Sequence, residues 1–108
     1  MMKLYLDDVR DLPDESFDLA RSYDEAVNYV KQHGIPTFIS FDHDLGVDEN
    51  EKLLPTGFDF AKSLVQMDMD NIYKVPENFS FNVHSANPVG KANIEGYLKN
   101  YLNFNKGD

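Results

Sequence analysis

The sequence predicts an α/β layered fold with a mainly parallel sheet. Three observations predict it. Strand-like and helix-like segments alternate along the chain. Three β-rich segments run directly into polar clusters, Asp7-Asp8, Asp42-His43-Asp44 and His84-Ser85. Two helices are announced by capping patterns, Ser22-Tyr23-Asp24-Glu25 and Thr56-Gly57-Phe58-Asp59.

Taken in order, residues 3–7 read as a short buried strand that ends in acids. Residues 17–20 read as a weaker strand. The interval between the two is short and contains Pro13, which argues against a full crossover helix there. The helix opened by Ser22 places Ala26, Val27 and Val30 on one face, and Gly34 followed by Pro36 ends it. His33, in its last turn, suits the helix dipole and reads as structural. Residues 37–41 (TFISF) form a β-branched and aromatic strand. An acidic loop follows over residues 45–55, with Gly46, and its segment 47–52 reads as plainly solvated. The helix opened by Thr56 has an apolar face of Phe58, Ala61, Leu64 and Val65. Residues 68–78 read as a polar connection containing Pro76. Residues 79–83 form the last strand. The final helix carries Ile94, Tyr97, Leu98, Tyr101 and Leu102 at helical spacing. Residues after Phe104 are expected to fray.

Composition narrows the function. A chain of 108 residues suits one domain, 1–108. There is no cysteine, so disulfides, thiolate nucleophiles and cysteine-based zinc sites are excluded. No apolar run approaches the roughly 20 residues of a membrane span, and the first residues do not form a signal peptide. A cytoplasmic location and no membrane partner are expected. Net charge is −9, from 19 acids against 10 bases. Duplex nucleic acid is bound by Lys and Arg that release counterions, so an extended duplex is not expected as a partner. A small phosphorylated ligand or an RNA terminus is compatible with the charge when a cation mediates.

Sites in parallel sheets form at the carboxyl ends of the strands. The three polar clusters therefore converge on one edge. Asp7, Asp8, Asp42 and Asp44 would crowd one crevice, where unpaired like charges raise one another's pKa. A divalent cation relieves that repulsion, and oxygen ligands suit Mg²⁺, Mn²⁺ or Ca²⁺. His43 and His84 flank the crevice and are candidate general acids or bases, or metal ligands. In an extended strand Asp42 and Asp44 share a side that His43 does not, although a turn breaks that alternation. Ser85, Asn87, Pro88, Gly90 and Lys91 form a polar turn into the last helix, with Asn87 as its cap. Arg10 is placed to pair with an acid or to hold phosphate bidentately. Two other arrangements are weaker. The adjacent His43-Asp44 pair of metal phosphohydrolases belongs to helical proteins richer in histidine. A triad of Ser85, His84 and an acid would need neighbours on one strand to meet.

The chain resembles response-regulator receiver domains. The acidic pair Asp7-Asp8 after Leu4-Tyr5-Leu6 is similar to the receiver acidic pair. Asp42 matches the phosphoacceptor position. Thr56-Gly57-Phe58-Asp59 resembles the turn opening the next receiver helix, and Val83-His84-Ser85-Ala86 resembles the strand ending in Ser or Thr followed by Ala. More specific strings are Leu6-Asp7-Asp8-Val9-Arg10, Ser40-Phe41-Asp42-His43-Asp44-Leu45-Gly46 and His84-Ser85-Ala86-Asn87-Pro88. Together they resemble the cyclic-phosphate processing receiver domain, a divergent receiver-like family of bacteria and phages.

That resemblance implies a flavodoxin-like three-layer sandwich on a short, mainly parallel four-stranded sheet. The first receiver helix is reduced to a loop over residues 11–16, and the last receiver strand with its lysine is missing. It further implies metal-dependent hydrolysis or processing of a cyclic phosphate, from an RNA end or a nucleotide, at the C-terminal edge of the sheet. Asp7, Asp8 and Asp42 would hold Mg or Mn. Asp42, His43, Asp44 and His84 would be catalytic, and Arg10, Ser85, Asn87 and Lys91 would bind the substrate. Two alternatives differ in class. One is a receiver-like phosphate-binding or phosphoacceptor module acting through Asp42. The other is an acidic interaction protein without enzymatic activity.

Overall fold

The computed structural model describes residues 2–105. Strands β1 (Lys3–Leu6), β2 (Asp18–Ala20), β3 (Phe38–Phe41) and β4 (Ser80–Val83) form a four-stranded sheet in the order β2-β1-β3-β4. Every pairing is parallel. Helices α1 (Tyr23–His33), α2 (Gly57–Met69) and α3 (Pro88–Asn105) complete an α/β fold of flavodoxin-like order. The expectation of fraying falls, from residue 106 onward, outside the described residues. No described helix is long and apolar enough to cross a membrane.

The helix boundaries have local causes. Ser22 Oγ accepts the Glu25 N–H at 3.1 Å and starts α1. Gly34, at φ +82°, ends it in a backbone conformation that disfavours a side chain. Thr56 and Asp59 form a reciprocal capping box on α2. Asn87 Oδ1 accepts the Gly90 N–H at 3.1 Å and caps α3, with Pro88 in its first turn.

Strand alternation sorts the sheet into two faces. Leu4, Leu6, Ile39, Phe41 and Val83 lie on one face and are buried with Ala26 and Val30 of α1, Phe60 and Leu64 of α2, and Ile94 and Leu98 of α3. One core thus holds all three helices. The opposite face carries Tyr5, Phe38, Ser40 and Asn82. Right-handed crossovers send the β1–β2 connection across that second face, because it steps in the direction opposite to the others. Phe17 lies there, edge-on to both Tyr5 and Phe38. The expected third layer is therefore a loop over residues 7–17 rather than a helix. That leaves Tyr5 and Ser40 buried beside the strand ends without a helix above them.

Each strand is one residue shorter than expected, and one helix boundary differs by more. Residues 68 and 69 belong to α2 rather than to the polar connection, because Asp68 is buried instead of solvated. Its carboxylate accepts the Val75 N–H at 2.8 Å and the Tyr101 hydroxyl at 2.5 Å, and pairs with Lys74 at 3.5 Å. It ties the connection after α2 to α3. Asp68→Ala is expected to cost about 2 kcal/mol, read as a lower urea midpoint with unchanged slope. Burial opposes the charge of Asp68, but Tyr101, the Val75 N–H and Lys74 outweigh it and hold the pKa below the ordinary value. A depressed folded-state pKa contributes stability that is complete above pH about 4 and is lost as pH falls through it. The gap between wild type and Asp68→Ala should therefore narrow on acidification.

Candidate functional site

Leu6, Phe41 and Val83 occupy one row across β1, β3 and β4. The next residue on each strand is Asp7, Asp42 or His84. Their backbone N–H groups extend the ladder, Asp42 to the Leu6 carbonyl and His84 to the Phe41 carbonyl, each at 2.9 Å. Alternation turns the three side chains away from the helices, onto the face of Tyr5 and Ser40. One donor atom from each lies within 4.8 Å of the others. Parallel register thus brings together residues that are far apart in sequence.

Asp7 is fully buried and fully engaged. Oδ1 accepts the N–H groups of Val9 at 2.9 Å and Arg10 at 2.8 Å. Oδ2 accepts Arg10 Nη1 at 2.8 Å and pairs with His84 Nε2 at 2.9 Å. Burial alone would raise its pKa, but these donors outweigh burial and hold it far below the ordinary carboxylate range. Asp42 is in the reverse position. Its Oδ1 accepts the His43 N–H at 2.8 Å, and Arg10 Nη1 stands 3.7 Å from Oδ2. Burial and the neighbouring charge of Asp7 push its pKa up. Two carboxylates at one edge are thereby driven apart in acidity, the pattern by which sites divide roles between acids.

His84 is held on three sides. Its ring stacks on Tyr5 with centroids 4.4 Å apart and planes 6° from parallel. Nδ1 pairs with Ser40 Oγ at 2.8 Å, and Asn82 Nδ2 donates to the same oxygen at 3.4 Å. An ionised Asp7 accepts from Nε2. In the neutral ring the Ser40 hydroxyl then donates to Nδ1. Ser40, Tyr5 and Asn82 were not among the expected site residues. The signal for Ser40 was a lone hydroxyl inside the apolar TFISF strand, two positions before Asp42 and therefore on the same side.

The other expected residues separate from this group. Asp8 is not one of the three converging donors, and its Oδ2 lies beside Gly46, where an added Cβ would meet it at 3.4 Å. The strand ends at Phe41, so the chain turns and Asp44 joins His43 rather than Asp42. His43 Nδ1 pairs with Asp44 Oδ1 at 3.0 Å. The His43 ring packs on the start of α3, where a Cβ on Gly90 would fall 2.4 Å from its Cγ. Asn87 Nδ2 reaches Asp44 Oδ2 at 3.4 Å, and Ser85 Oγ accepts the Asn87 N–H at 3.1 Å. His43, Asp44, Ser85 and Asn87 thus form a second cluster at the α3 cap. Lys91 is exposed there.

The Asp7, Asp42 and His84 donors fit a divalent cation in number and proximity. A metal-bound imidazole commonly donates its other N–H to a neighbour, and the Ser40 hydroxyl stands in that place. Of the expected metal ligands Asp7, Asp8 and Asp42, the structure groups Asp7 and Asp42 with His84.

Residues 2–100 match the family model of the cyclic-phosphate processing receiver domain. No curated protein matches the chain. One similar solved chain is described as the yeast Spc42 trimeric coiled coil, amino acids 181–211, fused to another structure. It shares 14% identity at a TM-score of 0.52, covering 97% of this chain and 80% of that one. At that identity the likeness concerns the fold alone.

Proposed function

The chain belongs to the cyclic-phosphate processing receiver domain family, and from that premise we propose that it opens a cyclic phosphodiester, on a nucleotide or an RNA end, to a phosphomonoester. The observation that carries the reading is the convergence of Asp7, Asp42 and His84 beside a half-exposed Arg10. Asp7, Asp42 and His84 would hold a divalent cation. Their mixed oxygen and nitrogen donors suit Mn²⁺ better than Mg²⁺. Once bound, such an ion neutralises charge on the phosphoryl oxygens and lowers the pKa of water.

The protein's own groups divide the remaining work. Arg10 meets the phosphate, since its guanidinium offers paired donors and reaches solvent. The side chains of Ser85 and Asn87 hold the α3 cap, and Arg10 is the forked donor beside the carboxylates. Asp42 is the less engaged carboxylate, with one oxygen accepting the His43 N–H and the other 3.7 Å from Arg10, and it is the one placed to act as base. It takes a proton from the attacking water as the new P–O bond forms. One ring P–O bond breaks, and the released oxygen is protonated from solvent. His84, its ring fixed by Tyr5 and Ser40, would offer Nε2 to the cation.

The test is an assay with a 2′,3′-cyclic nucleotide and Mn²⁺ or Mg²⁺, with the product identified by phosphorus NMR. Cation-dependent appearance of a phosphomonoester is expected, with loss of turnover in excess chelator. Cation binding without turnover, together with a stable phosphate adduct on Asp42, would favour the phosphoacceptor reading instead.

A further inference from the structure

We infer that Arg10 is the built-in counter-cation of Asp7 and Asp42 in the free protein, and that an incoming divalent cation displaces its guanidinium and releases it to the anionic ligand. The inference rests on the cation site proposed at Asp7, Asp42 and His84. Arg10 Nη1 lies 2.8 Å from Asp7 Oδ2 and 3.7 Å from Asp42 Oδ2. Those carboxylates supply two of the three converging donor groups. A cation bound by both would enter the field that the guanidinium now neutralises. Two positive charges that close repel, so one replaces the other.

The exchange is local for three reasons. The Arg10 side chain is 44% exposed and has room to leave. Its backbone stays anchored when it does. The Arg10 carbonyl accepts Arg21 Nη1 at 2.6 Å, and the same guanidinium nitrogen reaches the Asp7 carbonyl at 3.4 Å. Asp7 also keeps the Val9 and Arg10 N–H groups on Oδ1 after the Arg10 side chain has gone. The cation site and the anion site therefore share one mobile group. Cation and oxyanion then bind cooperatively, and each strengthens the other by the same factor.

The test is calorimetric titration of Mn²⁺ alone into wild type, Arg10→Gln and Arg10→Lys, followed by inorganic phosphate with and without saturating Mn²⁺. Lys99→Gln, exposed on α3, controls for net charge. Arg10→Gln is expected to bind Mn²⁺ about tenfold more tightly, the factor that one charge-assisted contact is worth. In the presence of Mn²⁺ it should bind phosphate about tenfold more weakly. Arg10→Lys keeps the charge without the forked donor and should fall between. It also carries the test if Arg10→Gln fails to fold. The inference is overturned if wild type binds Mn²⁺ and both Arg10 variants bind it no more tightly than Lys99→Gln. It is equally overturned if the cation and phosphate affinities of Arg10→Gln move in the same direction. If wild type binds no Mn²⁺, the cation reading itself fails and this inference falls with it.

Discussion

Asp42→Asn is expected to lower turnover of a cyclic nucleotide by about 10²-fold or more and, at the same time, to make the protein more stable. The two effects share one cause. Asp42 is only 7% exposed and faces the ionised Asp7. Asparagine removes that charge while its Oδ1 still accepts the His43 N–H. The sign with pH follows from linkage. An acid whose folded-state pKa is raised binds its proton more tightly when folded. Stability then declines as pH rises from the ordinary carboxylate value through the raised one, and the full penalty persists above it. In chelator, Asp42→Asn should therefore melt higher than wild type at pH 7. The gain should vanish below pH about 4, where the Asp42 carboxyl is neutral in the folded and unfolded chain alike. A variant that keeps turnover, or that melts lower at pH 7, would count against the role given to Asp42.

The second large effect is expected at Gly57. A Cβ there would lie 1.8 Å from the Asp42 carbonyl oxygen and 2.9 Å from its carbon. The obstacle is backbone, which cannot rotate aside, and the Gly57 N–H is itself bonded to the His43 carbonyl at 2.8 Å. Gly57→Ala is expected to destabilise by about 3 kcal/mol, at the upper end for overpacking. Any relaxation would carry Asp42 with it, so site function should fail in whatever fraction folds. Gly96 is the contrast, being exposed in α3 with nothing within 4 Å of an added Cβ. Gly96→Ala should stabilise by about 0.5–1 kcal/mol through helix propensity. Urea denaturation of both variants checks the pair. Equal effects at the two positions would contradict the close approach of α2 to Asp42.

Much of the architecture was legible in the residues. Apolar strands ending in Asp7, Asp42 and His84 marked a parallel sheet with a polar edge. The caps at Ser22, Thr56 and Asn87 marked the starts of the helices. These signals are local, because strand alternation and N–H capping depend on residues a few positions apart. The missing crossover helix between β1 and β2 was also visible, from the brevity of the interval and from Pro13.

Partnership across the edge was legible only in part. Sequence alone put Asp7, Asp8, Asp42 and Asp44 in one crevice, with His43 and His84 beside them. Tertiary structure kept Asp7, Asp42 and His84 together and sent Asp44 to His43 and Asn87. The reason is geometric. Parallel register decides which residues share a row, and a turn immediately after Phe41 decides which side each next residue faces. Charge balance was equally a tertiary matter. The −9 total and the crowding of acids pointed toward an external cation, whereas the fold places Arg10 between two of those acids. Residue types and spacing thus determined that an acidic, histidine-bearing edge exists. Only the packing of β1, β3 and β4 decided which acid is satisfied, which remains strained, and which base stands between them.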